Sequence, residues 1–414
     1  MRPGESKINR AVHILWVNKD FSKGMTAYQL LEEAKTEGNP DAYYFMARCH
    51  AGKSYVKPDF GFEDDDKKVD DLLDLAIENG SALAMFSARR FGGYKPKNGS
   101  YVHAPYTSER EVWDTVCAQA EQGNLFTKYL VANAYYYGDV IEILGIDLET
   151  ADPATARTTV QGYVLKAAKM YEELLAEGFT LCVNNYSNIF DSGDYGIPKN
   201  PQKVMEAERI AADNGEPYYM VEVGTRLLNK DPQKAAEYFE RALGLGFAPG
   251  GLNLGKMYSI GGQLPQDLYR AIQLIQGCLN AGSCTTACNN RLGEIYFYGG
   301  NGVNADYDRA FAHFMEAYKD NNYWASDMVG TCYLKGLGTV RDYDKALTEF
   351  LRYPEEKLAV IGMGEIYAYG LGVPQDIKRG MEYWKRFPNN ERVQENMRNF
   401  KKTLFGWKQK SGDI

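Results

Sequence analysis

Histidine is scarce in this chain: His13, His50, His103 and His313 are the only four among 414 residues. No two of them sit at a spacing that would bring their rings to one metal ion, which argues against a His-ligated metal enzyme. Long apolar runs are also missing. No window approaches the ~18 residues that a membrane span needs. The run Ala11 to Val17 is short and interrupted by His13, too weak for the apolar core of a secretory leader. Basic charge is in the minority, with 47 Lys and Arg against 55 Asp and Glu and a net charge of −8, so no nucleic-acid partner is expected. The seven cysteines, Cys49, Cys117, Cys182, Cys278, Cys284, Cys288 and Cys332, are odd in number and irregularly spaced. They form no disulfide framework, and a reducing cytoplasm is the expected compartment.

What the chain has in excess is tyrosine, 31 residues beside 18 Phe, and much of the excess follows an internal period. Leu254-Gly255-Lys256-Met257-Tyr258, Leu292-Gly293-Glu294-Ile295-Tyr296, Val329-Gly330-Thr331-Cys332-Tyr333 and Met363-Gly364-Glu365-Ile366-Tyr367 align, their glycines 38, 37 and 34 residues apart. After each comes a glycine-rich turn, such as Gly370-Leu371-Gly372-Val373-Pro374, and then an Asp: Asp267, Asp306, Asp342 and Asp376. An aromatic usually follows the Asp, as in Tyr269, Tyr307 and Tyr343.

One unit therefore reads as two helices. Helix A carries a Gly where a neighbouring helix must approach closely, with a Tyr three residues on along the same face. The turn glycines supply positive φ and end helix A. The Asp stands where helix B needs an N-cap, and helix B presents Ala, Phe and Trp at helical spacing. Such a pair cannot bury its apolar face alone, so the units must stack.

The N-terminal half carries the theme in eroded form. Val131 to Gly138 aligns with Leu292 to Gly299, Ala132 taking the Gly position. Gly38, Gly80, Gly123, Gly178, Gly215, Gly246 and Gly282 mark ends of B helices. Three insertions depart from the period, at 53–66, 94–108 and 139–158. Asn390 to Gln409 is expected to form a capping helix that closes the open apolar end.

The pattern Leu-Gly-x-x-Tyr, x-x-Gly-x-Gly-Val-x-x-Asp-Tyr, x-Lys-Ala resembles the Sel1-like repeat, a longer-looped relative of the tetratricopeptide repeat. Gly330 to Ala346 is nearly a consensus copy. The resemblance implies an all-α, right-handed superhelical α-solenoid of helical hairpins. About nine or ten repeats would occupy 1–389, near-regular in 250–386, followed by a capping helix and tail at 390–414. It also implies a non-enzymatic adaptor that captures a protein or peptide on its concave face without a cofactor.

In stacked hairpins the A helices line the concave side. Positions three before, one after and five after the repeat Gly share a face; they are numbered −3, +1 and +5 below. This face reads Tyr129, Asn133 and Tyr137, then Leu252, Lys256 and Ile260, then Asn290, Glu294 and Tyr298, then Asp327, Thr331 and Lys335, and finally Ile361, Glu365 and Tyr369. Its mixed polar and aromatic character fits a recognition stripe. The expected partner-binding residues are Tyr129, Asn133, Tyr137, Lys256, Asn290, Glu294, Tyr298, Thr331, Lys335, Glu365 and Tyr369. An alternative is a hydrolase-like enzyme, or an inhibitor or effector, with its site built by the N-terminal insertions. The trio Cys278, Cys284 and Cys288 leaves both one disulfide and a chance cluster open, and it lacks a fourth ligand for zinc.

Overall fold

The computed structural model describes residues 2–51, 60–88, 94–97, 99–262, 264–403 and 406–410. The chain divides into two compact units, Met1–Val223 and Gly224–Ile414.

The first unit is a run of antiparallel helical pairs: α1 Glu5–Val12 with α2 Gly24–Thr36, α3 Asp41–His50 with α4 Asp66–Glu78, α5 Ala82–Ser87 with α6 Glu109–Glu121, and α7 Leu125–Tyr137, which is followed by the short α8 Asp139–Ile143, with the long α9 Pro153–Ala176. It closes with α10 Val183–Ser192 against α11 Pro201–Asp213. Side-chain caps set the starts. Asp65, Ser81, Ser108, Asn124, Asp152 and Asn200 each accept a hydrogen bond from an N–H of the first turn that follows, which relieves donors the helix itself cannot satisfy. Four aromatic rings knit the pairs: Phe126 lies 4.6 Å from Trp16, 5.6 Å from Phe45 and 6.1 Å from Phe179. The Ala11–Val17 run is core, with Leu15, Trp16 and Val17 buried in a π-helical turn that continues α1.

The second unit contains the rest: α12 Pro217–Leu227 (from Gly224 onward), α13 Pro232–Gly244, α14 Ala248–Ile260, α15 Leu268–Asn280, α16 Thr285–Tyr298, α17 Tyr307–Tyr318, α18 Tyr323–Lys335, α19 Tyr343–Arg352, α20 Lys357–Tyr369, α21 Ile377–Trp384 and α22 Glu391–Arg398. Even-numbered helices from α12 to α20 are A helices and the odd ones B helices. The protein is an α-solenoid in each unit.

The close approach expected at the repeat glycines is observed. A Cβ placed on Gly224, Gly255, Gly293 or Gly330 would stand 2.5–2.7 Å from Phe239, Ile275, Phe314 or Phe350, and one on Gly364 would strike the Trp384 indole. Each glycine thus admits the large side chain of its own helix B. Phe350 is also covered by Gly362 of the following A helix, so one ring fills the space between two repeats.

The B-helix ends also match: Gly38, Gly80, Gly123, Gly178, Gly215, Gly246 and Gly282 all have positive φ, between 67° and 97°.

One expectation needs correction. The stretch 390–409 is not one helix. α22 ends at Arg398, and Phe400–Thr403 pairs with Gly406–Gln409 as an antiparallel hairpin. β-propensity at Phe400, Thr403 and Trp407 and the Gly at 406 outweigh the helical reading. Val393 and Phe400 cover Trp384 in one cluster. Insertion 94–108 is anchored to a neighbouring helix: the Tyr94 hydroxyl donates to Asp74 of α4 at 2.9 Å, and the Lys97 ammonium lies 2.9 Å from the same carboxylate. Insertion 139–158 holds α8 and the Asp152 cap of α9. Of insertion 53–66, residues 53–59 lie outside the described residues.

Candidate interaction surface

Four repeats of the second unit share a joint between helix A, its turn and helix B. The Asp N–H donates to the carbonyl of the Tyr that ends helix A: Asp267 to Tyr258 at 3.0 Å, Asp306 to Tyr296 at 2.8 Å, Asp342 to Tyr333 at 3.0 Å and Asp376 to Tyr367 at 2.8 Å. The same Asp side chain accepts from the N–H three residues on, at Arg270, Arg309, Lys345 or Arg379. That third residue is always cationic, and its charge sits over the Tyr ring, 4.5, 5.4, 5.3 and 3.7 Å from the centroid respectively. The sequence assigns roles to the Asp cap and the Tyr and carries Lys345 in the repeat pattern, but the place of the cation over the ring emerges only in the fold. The signal was present as Arg or Lys three residues after every Asp.

The tyrosines that open B helices reach forward. Tyr269 donates to the Gly302 carbonyl of the next turn at 2.8 Å, and Gly302, Gly338 and Gly372 of successive turns lie against Tyr269, Tyr307 and Tyr343. These tyrosines join successive repeats, although Tyr269 stays 61% exposed.

The eleven candidate positions separate into three kinds. Several are committed to the fold. Asn133 is buried and accepts from the Tyr171 hydroxyl at 2.7 Å and from the Asn185 amide at 3.0 Å. Tyr129 packs its ring on Phe126 and Phe179. Thr331 is buried and returns its hydroxyl to the Asp327 carbonyl. The −3 position ties repeats together: Asn290 donates at 3.0 Å to Asn322, the N-cap of α18. Asp327 is buried, its carboxylate directed toward the first turn of α20 at Ala359, whose own N-cap residue, Glu356, supplies no side-chain cap. Burial and the nearby Glu356 push the Asp327 carboxyl up to about 7.

A second group is engaged by the C-terminal elements. Glu365 receives both Arg392 nitrogens, at 2.5 and 2.7 Å, and the Asn396 amide at 2.6 Å. The Tyr369 hydroxyl donates to Asn396 at 3.2 Å and accepts from Asn399 at 2.9 Å, while its ring touches Trp384 and Phe400.

The third group faces outward. Tyr298 is 65% exposed, as is Ile260 at the same +5 position of the preceding repeat. Tyr137 is 61% exposed in the first unit, its hydroxyl directed at Asn185. Lys256 is half-buried and Lys335 exposed. Glu294 lies between them in sequence, paired with Arg291 at 2.8 Å, and burial raises its carboxyl above the usual range.

Histidine serves packing here. His313 stacks on Tyr296 with the rings 4° from parallel and accepts or donates at Nδ1 to Asn289; burial and then Arg309 lower its proton affinity. His50 meets the Glu63 carbonyl and the Tyr28 hydroxyl. All seven cysteines are free thiols; Cys278 and Cys288 both donate to the Ser283 carbonyl, at 3.3 and 3.6 Å. Among the described residues no group of three or more His, Cys, Asp or Glu is placed to hold a metal ion, and no helix is long and apolar enough to cross a membrane.

The Sel1 repeat profile matches five segments, residues 211–247, 252–276, 286–322, 325–348 and 358–387. Residues 211–387 of the chain are Sel1 repeats. Each matched segment holds one of the repeat glycines described above, from Gly224 in the first to Gly364 in the last. No curated protein shows significant sequence similarity to it. Among solved structures, c5321, a protective antigen present in uropathogenic Escherichia coli strains and displaying an SLR fold, aligns at 19% identity and a TM-score of 0.56 over 92% of this chain and 78% of its own. A Sel1 repeat protein from Oxalobacter formigenes aligns at 18% identity over 80% of this chain and 87% of its own, with a TM-score of 0.43. Yeast Tom70 aligns at 13% identity over 94% and 86%, with a TM-score of 0.34. Sel1 repeats of this kind form helical scaffolds typical of protein interaction.

Proposed function

We propose that this Sel1-repeat protein is a non-enzymatic scaffold that captures a protein or peptide on the A-helix face of its second unit. The contact residues assigned are Lys256, Glu294, Tyr298 and Lys335, with Ile260 beside them. One observation carries this reading. Two adjacent repeats place a large apolar side chain, Ile260 and Tyr298, at the same +5 position, and each is 65% exposed, whereas the tyrosines that end the same A helices, Tyr258 and Tyr296, are half-buried under the cations of the joints. Tyr is an efficient anchor, since it offers a large rigid surface with few rotors to order. Asn133, Thr331 and Tyr129 leave the contact set because the fold uses them, and Tyr369 and Glu365 because α22 and the hairpin already hold them.

A photo-crosslinking amino acid at position 298 tests this reading. Irradiation in host extract is expected to yield one discrete adduct that excess unlabelled protein suppresses. The same group at Leu351, 51% exposed on helix B α19, should give none. Equal adducts from both positions would sink the assignment.

A further inference from the structure

The A-helix face of the second unit has an uneven charge economy. Its two inward carboxylates are already spent: Glu294 on Arg291, and Glu365 on Arg392 and Asn396. Asp327 is buried and directed toward the first turn of α20 at Ala359. The ammonium groups of the two lysines of the face have no hydrogen-bonding or ion-pair partner among the described residues, although they stand beside cations. Arg291 faces Lys256, and Arg392 faces both Lys335 and the Tyr298 hydroxyl. Glu365 and Glu395 also face Lys335; Glu395 is exposed, at the edge of this face on α22. Even so, partial loss of hydration and then the neighbouring arginine hold each lysine below the ordinary lysine range. An anion brought to these lysines would relieve both costs.

We propose that this face receives an extended acidic peptide segment of a partner, its carboxylates meeting Lys256 and Lys335 and an apolar side chain between them lying on Ile260 and Tyr298. This rests on the scaffold reading above and gives it a ligand class. The two lysines sit on α14 and α18, two A helices apart. At ~10 Å between packed helices and ~3.3 Å per extended residue, about six residues of peptide would span them.

The test uses the full chain and three fluorescein-labelled peptides of about twelve residues, alternating Glu with Leu, Ser with Leu, or Lys with Leu, read by fluorescence polarisation. The Glu/Leu probe should bind about tenfold or more tightly than the Ser/Leu probe, and weaken as salt rises. Lys256→Glu with Lys335→Glu should raise its Kd about tenfold or more. Lys319→Ala, a substitution at the C-cap of helix B α17, should leave it unchanged, and melting temperatures measured beside each variant show that the fold persists. Two milder variants, Lys256→Gln and Lys335→Gln, serve if charge reversal unfolds the protein. Preference for the Ser/Leu or Lys/Leu peptide, abolished by Tyr298→Ala, would overturn the acidic ligand and leave the scaffold reading standing. Absence of binding by all three would also overturn it, and crosslinking at position 298 would then decide the scaffold reading alone.

Discussion

Gly364 and Gly162 are both helical glycines, but a Cβ on Gly364 would strike the buried Trp384 indole, and one on Gly162 would meet nothing within 4 Å. Gly364→Ala is therefore expected to cost about 1–3 kcal/mol through overpacking, with the Trp384 indole displaced from the Ile361 carbonyl it now donates to at 3.2 Å. Gly162→Ala on the exposed face of α9 should instead gain about 0.5–1 kcal/mol. Denaturant midpoints of the two variants check both signs. Asp327 gives a pH signature. Its folded carboxyl holds a proton to about pH 7, against an ordinary value of 3.8. Between those limits the unfolded chain releases the proton that the native one keeps, so stability falls as pH rises from about 4 to about 7 and then levels off. Asp327→Asn removes that loss and should raise the melting temperature at pH 8 more than at pH 4; the reverse order would refute the argument. Tyr298→Ala should leave the melting temperature within about a degree or two while weakening partner capture, because its ring is mostly in solvent.

At the scale of the element, the joint that closes each repeat is a composite of an Asp cap, a Tyr carbonyl and a cation over the Tyr ring. Asp376→Ala should cost about 1 kcal/mol and Arg379→Ala about 0.5–1 kcal/mol. Because the Asp376 carboxylate and the Arg379 side chain are held by the same first turn, the double variant should cost less than the sum. A double-mutant cycle in urea measures the difference. This level was partly legible in the sequence. Gly, Asp and Tyr recur at a fixed period, so their roles could be assigned from spacing and capping chemistry alone. The ring beneath Arg379 could not, since pairing a helix B residue with the end of helix A needs the turn to be folded. Nor could the division of the A-helix face. Asn290, Glu294 and Tyr298 share a helical face, yet one ties to the next repeat, one to Arg291 and one to solvent. Those choices depend on the helix packed alongside. Tyr369 occupies the same +5 position as Tyr298 and differs only because α22 and the hairpin arrive over it, which no local pattern at residue 369 announces.

For the whole molecule, the end of the array matters as much as its middle. Val393 and Phe400 cover Trp384, and Arg392 and Asn396 satisfy Glu365. Ending the chain after Asn389 would bare that apolar surface and leave the Glu365 carboxylate without its partners. Such a protein is expected to lose thermal stability and to self-associate, visible as a concentration-dependent shift in size-exclusion chromatography; a monomer of unchanged melting temperature would contradict the capping role. The joints within the array have a different consequence. Gly302, Gly338 and Gly372 lie against the Tyr269 ring, the Tyr307 backbone carbonyl and the Tyr343 Cβ of the preceding repeat, so at these three joins the glycine of one turn admits the start of the helix B before it. A segment copied in tandem would meet compatible neighbours at both ends. Arrays of this kind can therefore lengthen or shorten by gene duplication and loss of whole repeats, without redesign of any single contact.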